Sequence, residues 1–283
     1  MVKSKKPVKI GIDVGGTHTK FGIVKNNQVT LLYREPTIKD SQARFINNII
    51  TKINKIEKSF GKAEKIGFAV AGVINKNKII KSPNISMLDG FAFDFPVNLV
   101  NDARAAGLAE FQKGALKDTK SSLLLTLGTG IGGSVFLDGK LLAGKNNIIG
   151  EVGHMNLSSH DEVFEWEKRA SGRALVNLAK EMFPNAPFSK GVRIFFGELK
   201  KGNKDAEKVL KKWVKYLALG VSNLILFYNP EVIAFGGGAS EDFELFHSLL
   251  KNAVSDIITY KKAMPKLVKA KFGNMAGMLG SVL

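Results

Sequence analysis

Hydrophobic and polar positions alternate from the start of the chain's first regular stretch. Between Val8 and Val14, Val8, Ile10, Ile12 and Val14 fall on one face and Lys9, Gly11 and Asp13 on the other, the period-two signature of a half-buried strand. Asp13 therefore points away from the apolar face. A second strand over residues 20–25 turns at Asn26-Asn27, two residues that tolerate positive φ, into a third over 28–34, which predicts an antiparallel meander. The period lengthens to 3.6 over 40–60, where Phe45, Ile49, Ile53 and Ile56 share one helical stripe, and the apolar run 66–70 reads as a buried strand. After a loop at Ser82, Pro83 and Asn84 come a short strand, 97–100, and an alanine-rich helix from about Asp102 to Gly114, so that strand, turn and helix meet at Asn101 and Asp102.

The pattern then begins again. Residues 122–127 form an apolar strand, followed by a glycine-rich turn, a strand over 134–137, the hairpin turn Asp138-Gly139 and a strand over 140–142. A shift of 112 residues lays Gly16-Thr17 on Gly128-Thr129 and the Asn26-Asn27 turn on Asp138-Gly139, with little identity elsewhere. Two related lobes facing one cleft are expected. Helices are predicted over 163–183, 192–200, 204–228, 242–258 and from Asn274, with one further strand, 232–235, that ends in Gly236, Gly237 and Gly238. Alternating strands and helices make the class α/β. The expected domains are a smaller N-terminal lobe, 1–101 plus about 271–283, and a larger one over about 102–270.

Composition narrows the chemistry. The 283 residues are 45% hydrophobic, enough for substantial cores. The absence of cysteine removes disulfides, thiolate metal sites and cysteine nucleophiles. Of the four histidines, His18 and His154 adjoin motifs, and His160 and His247 are expected at the surface. The formal charge of +17 raises the question of nucleic acid, but lysine outnumbers arginine and the lysines are dispersed, with only short groups such as Lys3, Lys5, Lys6 and Lys200, Lys201, Lys204. A soluble surface that also steers anionic ligands is the expectation, with no nucleic-acid partner. Residues 1–9 are basic without the apolar stretch of a secretory signal, and the most apolar later run, 216–228, is interrupted by Gly220, Ser222 and Asn223. A cytoplasmic protein without a membrane span is expected.

Candidate chemistry gathers at the glycines. In Asp13-Val14-Gly15-Gly16-Thr17-His18-Thr19-Lys20, adjacent glycines in a hairpin leave backbone N–H groups open to a phosphate oxygen, and Thr17 adds a hydroxyl. Taken alone, the same glycines would serve a plain tight turn. The repeat alters that balance, because Leu125 stands in the second block where Asp13 stands in the first, so the hairpin does not need the carboxylate. Asp13 is then a candidate to position Mg²⁺ beside donor phosphates. The second turn, Gly128-Thr129-Gly130-Ile131-Gly132-Gly133, offers the same close approach, and Gly236 to Gly238 could accept an adenosine or form an ordinary strand-to-helix turn. Asp102 could take a proton from a sugar hydroxyl, or either it or Asn101 could cap the following helix. Glu151 and His154, in the glycine-flanked Gly150-Glu151-Val152-Gly153-His154, suit hydrogen bonds to several hydroxyls; a solvent-exposed loop is the alternative. Glu167 is a further candidate acceptor or a solvated charge.

Gly11-Ile12-Asp13-Val14-Gly15-Gly16-Thr17, Val100-Asn101-Asp102-Ala103, the second glycine turn and Gly150 to His154 together resemble the ROK family (repressor, open reading frame, kinase), in order and spacing, through Gly273-Asn274-Met275-Ala276-Gly277-Met278-Leu279-Gly280. The resemblance implies a two-lobed actin-like ATPase fold with duplicated βββαβαβα-type lobes and a central cleft, holding ATP and Mg²⁺ and transferring phosphate to the 6-hydroxyl of a hexose. By position, Asp102 resembles the family's catalytic base. Asn101, Glu151, His154 and Glu167 resemble its sugar ligands, with Gly72 and Asn84 as additions. Asp13, Gly16, Thr17, Thr129 and Gly130 resemble its phosphate contacts, to which Gly15, His18 and Lys20 are joined as neighbours. Family members commonly dimerise through the helical lobe, so a homodimer is expected. Many also bind structural zinc through the motif histidine and three following cysteines; this chain runs through Asn156, Ser158, Ser159 and Asp161 instead, and no zinc is expected.

The leading expectation is an ATP-dependent hexose kinase resembling glucokinase. A polyphosphate-dependent glucokinase is the alternative donor reading, and a non-catalytic sugar sensor the alternative of another class; Asp13 and Asp102 together argue against the sensor. With about seven residues ahead of the first strand, no helix-turn-helix regulator domain is expected.

Overall fold

The computed structural model describes residues 7–159 and 162–283, the side chain of 159 excepted. Lys3, Lys5, Lys6, His160 and Asp161, named above, lie outside the described residues. Packing divides the chain into two compact units: the described residues up to Ala109 with Ala143–Ile148 and Met275–Leu283, and Glu110–Leu142 with the described residues of 149–274. Among the described residues no helix is long and apolar enough to cross a membrane.

The first unit opens with the expected meander, β1 (Val8–Val14), β2 (His18–Lys25) and β3 (Gln28–Pro36), whose Asn26 and Asn27 take φ of 50° and 61°. Helix α1 (Gln42–Phe60) follows. Ser41 caps it by accepting the Arg44 N–H, and Phe45, Ile49, Ile53 and Ile56 are all buried. Each such side chain contributes about 1.5–3 kcal/mol on burial. Strand β4 (Ala63–Val70), the small hairpin β5 (Val73–Asn75) and β6 (Lys78–Lys81), and β7 (Asn98–Asn101) lead into α2 (Asp102–Lys113). The sheet order is β3-β2-β1-β4-β7, with β1, β4 and β7 parallel.

The second face of this sheet departs from simple alternation. Gly22, Gly11 and Gly67 lie in register across β2, β1 and β4 and form a transverse row. The closing helix Ala276–Gly280 and the residues after it pack onto that row. A Cβ at Gly11 would strike the Met278 backbone, one at Gly67 the Ser281 backbone, and one at Gly22 would come within 2.9 Å of the Thr30 carbonyl and 3.3 Å of the Met278 sulfur. Asn98 Nδ2 donates to the Ser281 carbonyl at 2.7 Å, and Lys65 Nζ donates to the Leu283 carbonyl. The face read as polar is thus a buried seat for the end of the chain.

The second unit repeats the topology. Strands β8 (Ser122–Leu127), β9 (Ile131–Leu137) and β10 (Lys140–Leu141) form an antiparallel meander through an Asp138-Gly139 turn at φ of 50° and 72°. A hairpin, β11 (Asn156–Ser159) and β12 (Glu162–Glu165), precedes α3 (Trp166–Ala170), α4 (Gly172–Met182), α5 (Val192–Lys200) and α6 (Lys204–Tyr228). Then come β13 (Val232–Gly236), α7 (His247–Ile257) and β14 (Lys266–Lys269). The order β10-β9-β8-β13-β14 matches that of the first sheet, position for position.

Two helix boundaries differ from the sequence expectation. The helix expected over 163–183 starts only at Trp166, because residues 162–165 pair with β11, and it breaks at Ser171, whose hydroxyl accepts the Ala174 N–H and restarts the helix as α4. The helix expected over 242–258 begins at His247, after a tighter turn, Gly238–Leu245, kinked at Asp242. His247 is half-buried against the Phe243 ring at 5.2 Å rather than fully at the surface.

Candidate functional site

Parallel β1, β4 and β7 end in one row: Val14 is in register with Val70, and Val70 with Asn101. The turn after Asp13, the Gly72 corner and Asp102 therefore leave the first sheet at the same edge, the carboxyl end of its strands, where open α/β sheets bind ligands.

At β1, Asp13 stands directly across from Lys20 on β2, and Lys20 Nζ donates to Asp13 Oδ2 at 2.8 Å. The Gly15 N–H bonds to the His18 carbonyl at 3.0 Å and closes the turn. The amides of Gly16 and Thr17 have no hydrogen-bond partner among the described residues, and Thr17 is exposed. Asn84 packs on this turn, so a Cβ at Gly16 would come within 2.9 Å of the Asn84 Cβ. Thr37, which the sequence did not single out, accounts for the turn's carbonyls: its hydroxyl donates to the Gly15 carbonyl at 2.6 Å and its N–H to the Thr17 carbonyl at 3.0 Å.

At β7, Asn101 resolves the capping question. Its Oδ1 accepts the Arg104 N–H at 3.0 Å, the N-cap bond of α2, while its Nδ2 donates to the Gly72 carbonyl at 2.9 Å. Gly72 has φ of 132°, and a Cβ there would strike the Lys81 carbonyl, so only glycine holds this corner. Asp102 is the first residue of α2, with Oδ1 2.8 Å from the Ala103 N–H. Its carboxylate is not the cap.

In the second unit the turn is narrower than the sequence suggested. Gly128–Gly130 form it, closed by the Gly128 N–H to the Gly130 carbonyl at 3.0 Å, while Gly132 and Gly133 lie within β9. Thr129 is exposed. Glu167 sits beneath this turn: its Oε2 accepts the Ile131 N–H at 3.1 Å and occupies the space a Cβ at Gly130 would need. The same oxygen lies 3.0 Å from a notional Cβ at Gly153, so Glu167, the turn and the 150–154 segment share one neighbourhood. Glu151 is half-buried there, whereas the His154 side chain is 58% exposed, with Nδ1 3.8 Å from Glu165 Oε1. Glu165 is held below the ordinary glutamate range, first by its hydrogen bond to Lys168.

Glu167 is seated by its neighbour. Trp166 is fully buried, its Nε1 donates to the Tyr216 carbonyl at 3.0 Å, and its ring packs against α6 at Gly220, where any Cβ would overlap it. The glycine that interrupts the most apolar run is thus a slot for an indole. Leu157 and Phe164, both buried, and the Trp166 N–H bond to the Met155 carbonyl hold the β11–β12 hairpin by packing. At β13, in register with β8 through Gly236 and Thr126, Gly237 takes φ of 82° and lies against the Leu127 backbone, and Ser240 Oγ donates to the Gly236 carbonyl at 2.8 Å. Gly128 and Gly236–Gly238 thus leave the second sheet at one edge.

The Asp13 carboxylate is a hard oxygen donor of the kind that suits a hard cation such as Mg²⁺. Asp13 supplies one hard oxygen, and among the described residues no group of three or more His, Asp or Glu is placed to hold an ion alone.

Known proteins share this architecture end to end. The ROK hexokinase of Thermus thermophilus is 30% identical, with a TM-score of 0.80 over 98% of this chain and 97% of that one. A ROK family glucokinase from Streptomyces griseus, solved with glucose and AMPPNP, is 23% identical with a TM-score of 0.85 over 97% and 98%, and bears on the fold. The N-acetyl-D-glucosamine kinase of Haemophilus influenzae is 27% identical over 299 residues, 96% of this chain and 97% of that protein. A model of the ROK family matches residues 9–283, and the chain belongs to that family.

Proposed function

We propose that this protein is an ATP-dependent kinase of a hexose or N-acetylhexosamine, transferring the γ-phosphoryl group to the sugar's 6-hydroxyl. The observation that carries the reading is the start of α2. Asn101 caps the helix and Gly72 orients Asn101, so the cap does not require a carboxylate at 102, yet one stands at the same strand edge as the first glycine turn. In this role Asp102 accepts the hydroxyl proton as that oxygen attacks phosphorus and the bond to the ADP oxygen breaks. Amides of Gly16, Thr17, Thr129 and Gly130 face the donor phosphates, with His18 beside the first turn. Gly236–Gly238 receive the adenosine. Asn101, Glu151, His154 and Glu167 supply sugar hydrogen bonds, with Gly72 and Asn84 supporting them.

Bound Mg²⁺ would neutralise phosphate charge, and Asp13, oriented by Lys20, is the group that would hold it. A homodimer remains part of this proposal. The relatives named as N-acetylglucosamine kinase and hexokinase support this choice of acceptor class.

A coupled assay over glucose, mannose, fructose, N-acetylglucosamine and N-acetylmannosamine, with Mg-ATP or polyphosphate, tests the reading. Turnover of at least one sugar with Mg-ATP is expected. Turnover with polyphosphate alone would overturn the donor, and sugar binding without turnover of any panel member would favour a sensor.

A further inference from the structure

The first glycine turn is only as good an anion site as its backbone orientation. A peptide plane presents its N–H to a ligand when its carbonyl is committed elsewhere. Both relevant carbonyls, those of Gly15 and Thr17, are committed to one residue, Thr37, which lies just past β3 and is 9% exposed. The carbonyls of Gly15 and Thr17 belong to the peptide planes that follow them, so fixing Gly15 sets the direction of the Gly16 N–H, and fixing Thr17 pins the far side of the turn. Thr37 has one hydroxyl proton, which goes to Gly15 at 2.6 Å. The 3.0 Å contact between the Thr37 and Thr19 hydroxyls is therefore donated by Thr19, itself 2% exposed. The chain of donors runs in one direction, from Thr19 to Thr37 to the Gly15 carbonyl, and no proton is left to reverse it.

We infer that Thr37 is a positioning residue for the donor phosphates: it touches no substrate but fixes the Gly15–Gly16 peptide plane with the Gly16 N–H outward and anchors the far side of the turn at the Thr17 carbonyl. The second turn has a different support, since Ile131 N–H is bound by Glu167 and the Gly128 carbonyl by the Arg173 N–H at 3.3 Å, at the start of α4. The inference rests on the reading that the first turn holds the donor phosphates. It also makes a statement about the turn alone, which can be tested without that reading.

The experiment compares Thr37→Val, which keeps shape and N–H but removes the hydroxyl, with Thr37→Ser, which keeps the hydroxyl. Amide hydrogen exchange of the ligand-free proteins is followed at Gly15 and Thr37, whose N–H groups bond across the turn. Exchange about tenfold faster in Thr37→Val, with Thr37→Ser near wild type, is expected from the net worth of one hydrogen bond. In the same proteins the KM for Mg-ATP should rise about tenfold in Thr37→Val and recover in Thr37→Ser, while the sugar KM stays within about twofold. Unchanged exchange at both amides overturns the inference, as does a loss of nucleotide and sugar affinity in equal proportion, which would mark a general loosening. Should wild type bind no AMPPNP or Mg-ATP by calorimetry, the proposed function falls, and the exchange comparison still decides whether Thr37 anchors the turn.

Discussion

The two units carry the same five-stranded sheet and the same hairpin after its first strand, but they support that hairpin by opposite means. In the first unit the hairpin is polar around its turn: Asp13 pairs with Lys20, and Thr37, itself bonded by the Thr19 hydroxyl, holds the Gly15 and Thr17 carbonyls. In the second, Leu125 occupies the position of Asp13 and is fully buried, and a single carboxylate, Glu167, reaches in from α3 to hold the strand that follows the turn. One scaffold has thus been built once around a charge and once around an apolar side chain. A duplicated fold leaves its shape in both copies and needs its reactive groups in only one.

The largest effect is expected at Asp102, whose Oδ1 accepts the Ala103 N–H while Asn101 makes the N-cap bond of α2. Asp102→Asn should lower kcat about 10²–10⁴-fold. Its thermal midpoint should match wild type, since Asn101 remains the cap; near-normal turnover in the folded variant would remove Asp102 from the chemistry. Exchanging the unlike residues of the two hairpins tests the comparison directly. Leu125→Asp puts an unpaired charge into a fully buried site and should cost about 3–5 kcal/mol by denaturant titration, whereas Asp13→Leu should stay folded and lose about 10²–10³-fold in turnover. If both variants proved equally stable, the hairpins would not differ in the way described.

Gly220→Ala should cost about 1–3 kcal/mol by pushing Trp166 from its slot, and it should weaken sugar binding through Glu167. An unshifted midpoint together with unchanged sugar affinity would show that the indole relocates freely.

The smallest effect is at acid pH, where the units behave alike. Glu57 accepts the Ala63 N–H at the start of β4 at 2.9 Å, and Glu231 accepts the Ser121 and Lys120 N–H groups ahead of β8 at 3.0 and 2.7 Å. These bonds, first that of Ala63 for Glu57 and that of Ser121 for Glu231, hold both carboxyls below the ordinary value of 4.5. A lowered folded-state pKa means the stabilisation is complete above about 4.5 and is lost as pH falls through the lower, folded value. Glu57→Gln and Glu231→Gln should each flatten the fall of the midpoint below that pH. Parallel melting curves for wild type and variants would refute it.

What could be read from the chain and what could not divide along sequence distance. The stripe of α1 and the asparagine and Asp-Gly turns are local patterns, and each stands where the sequence put it. The paired glycine turns were legible because they repeat at a fixed offset. Thr37 was not, since its partners are fixed by strand pairing that folds β3 back along β2, and a threonine after a proline carries no motif of its own. Val163 and Phe164, flanked by acids, fit a helix or a strand equally, and only pairing with β11 decides between them. The row formed by Gly11, Gly22 and Gly67 was not legible, because the atoms packed on it include those of Met278 and Ser281, more than 200 residues away from Gly67 in the chain.

That glycine row has a bearing on how the protein is made. A ribosome completes the strands that carry it long before it reaches the residues that fill it: about 210 residues separate Gly67 from Met278, roughly 10–40 s of synthesis at 5–20 residues per second. Through that interval the nascent first sheet has one face packed by α1 and one face open. The first sheet to be written cannot cover that face until the last residues of the chain arrive.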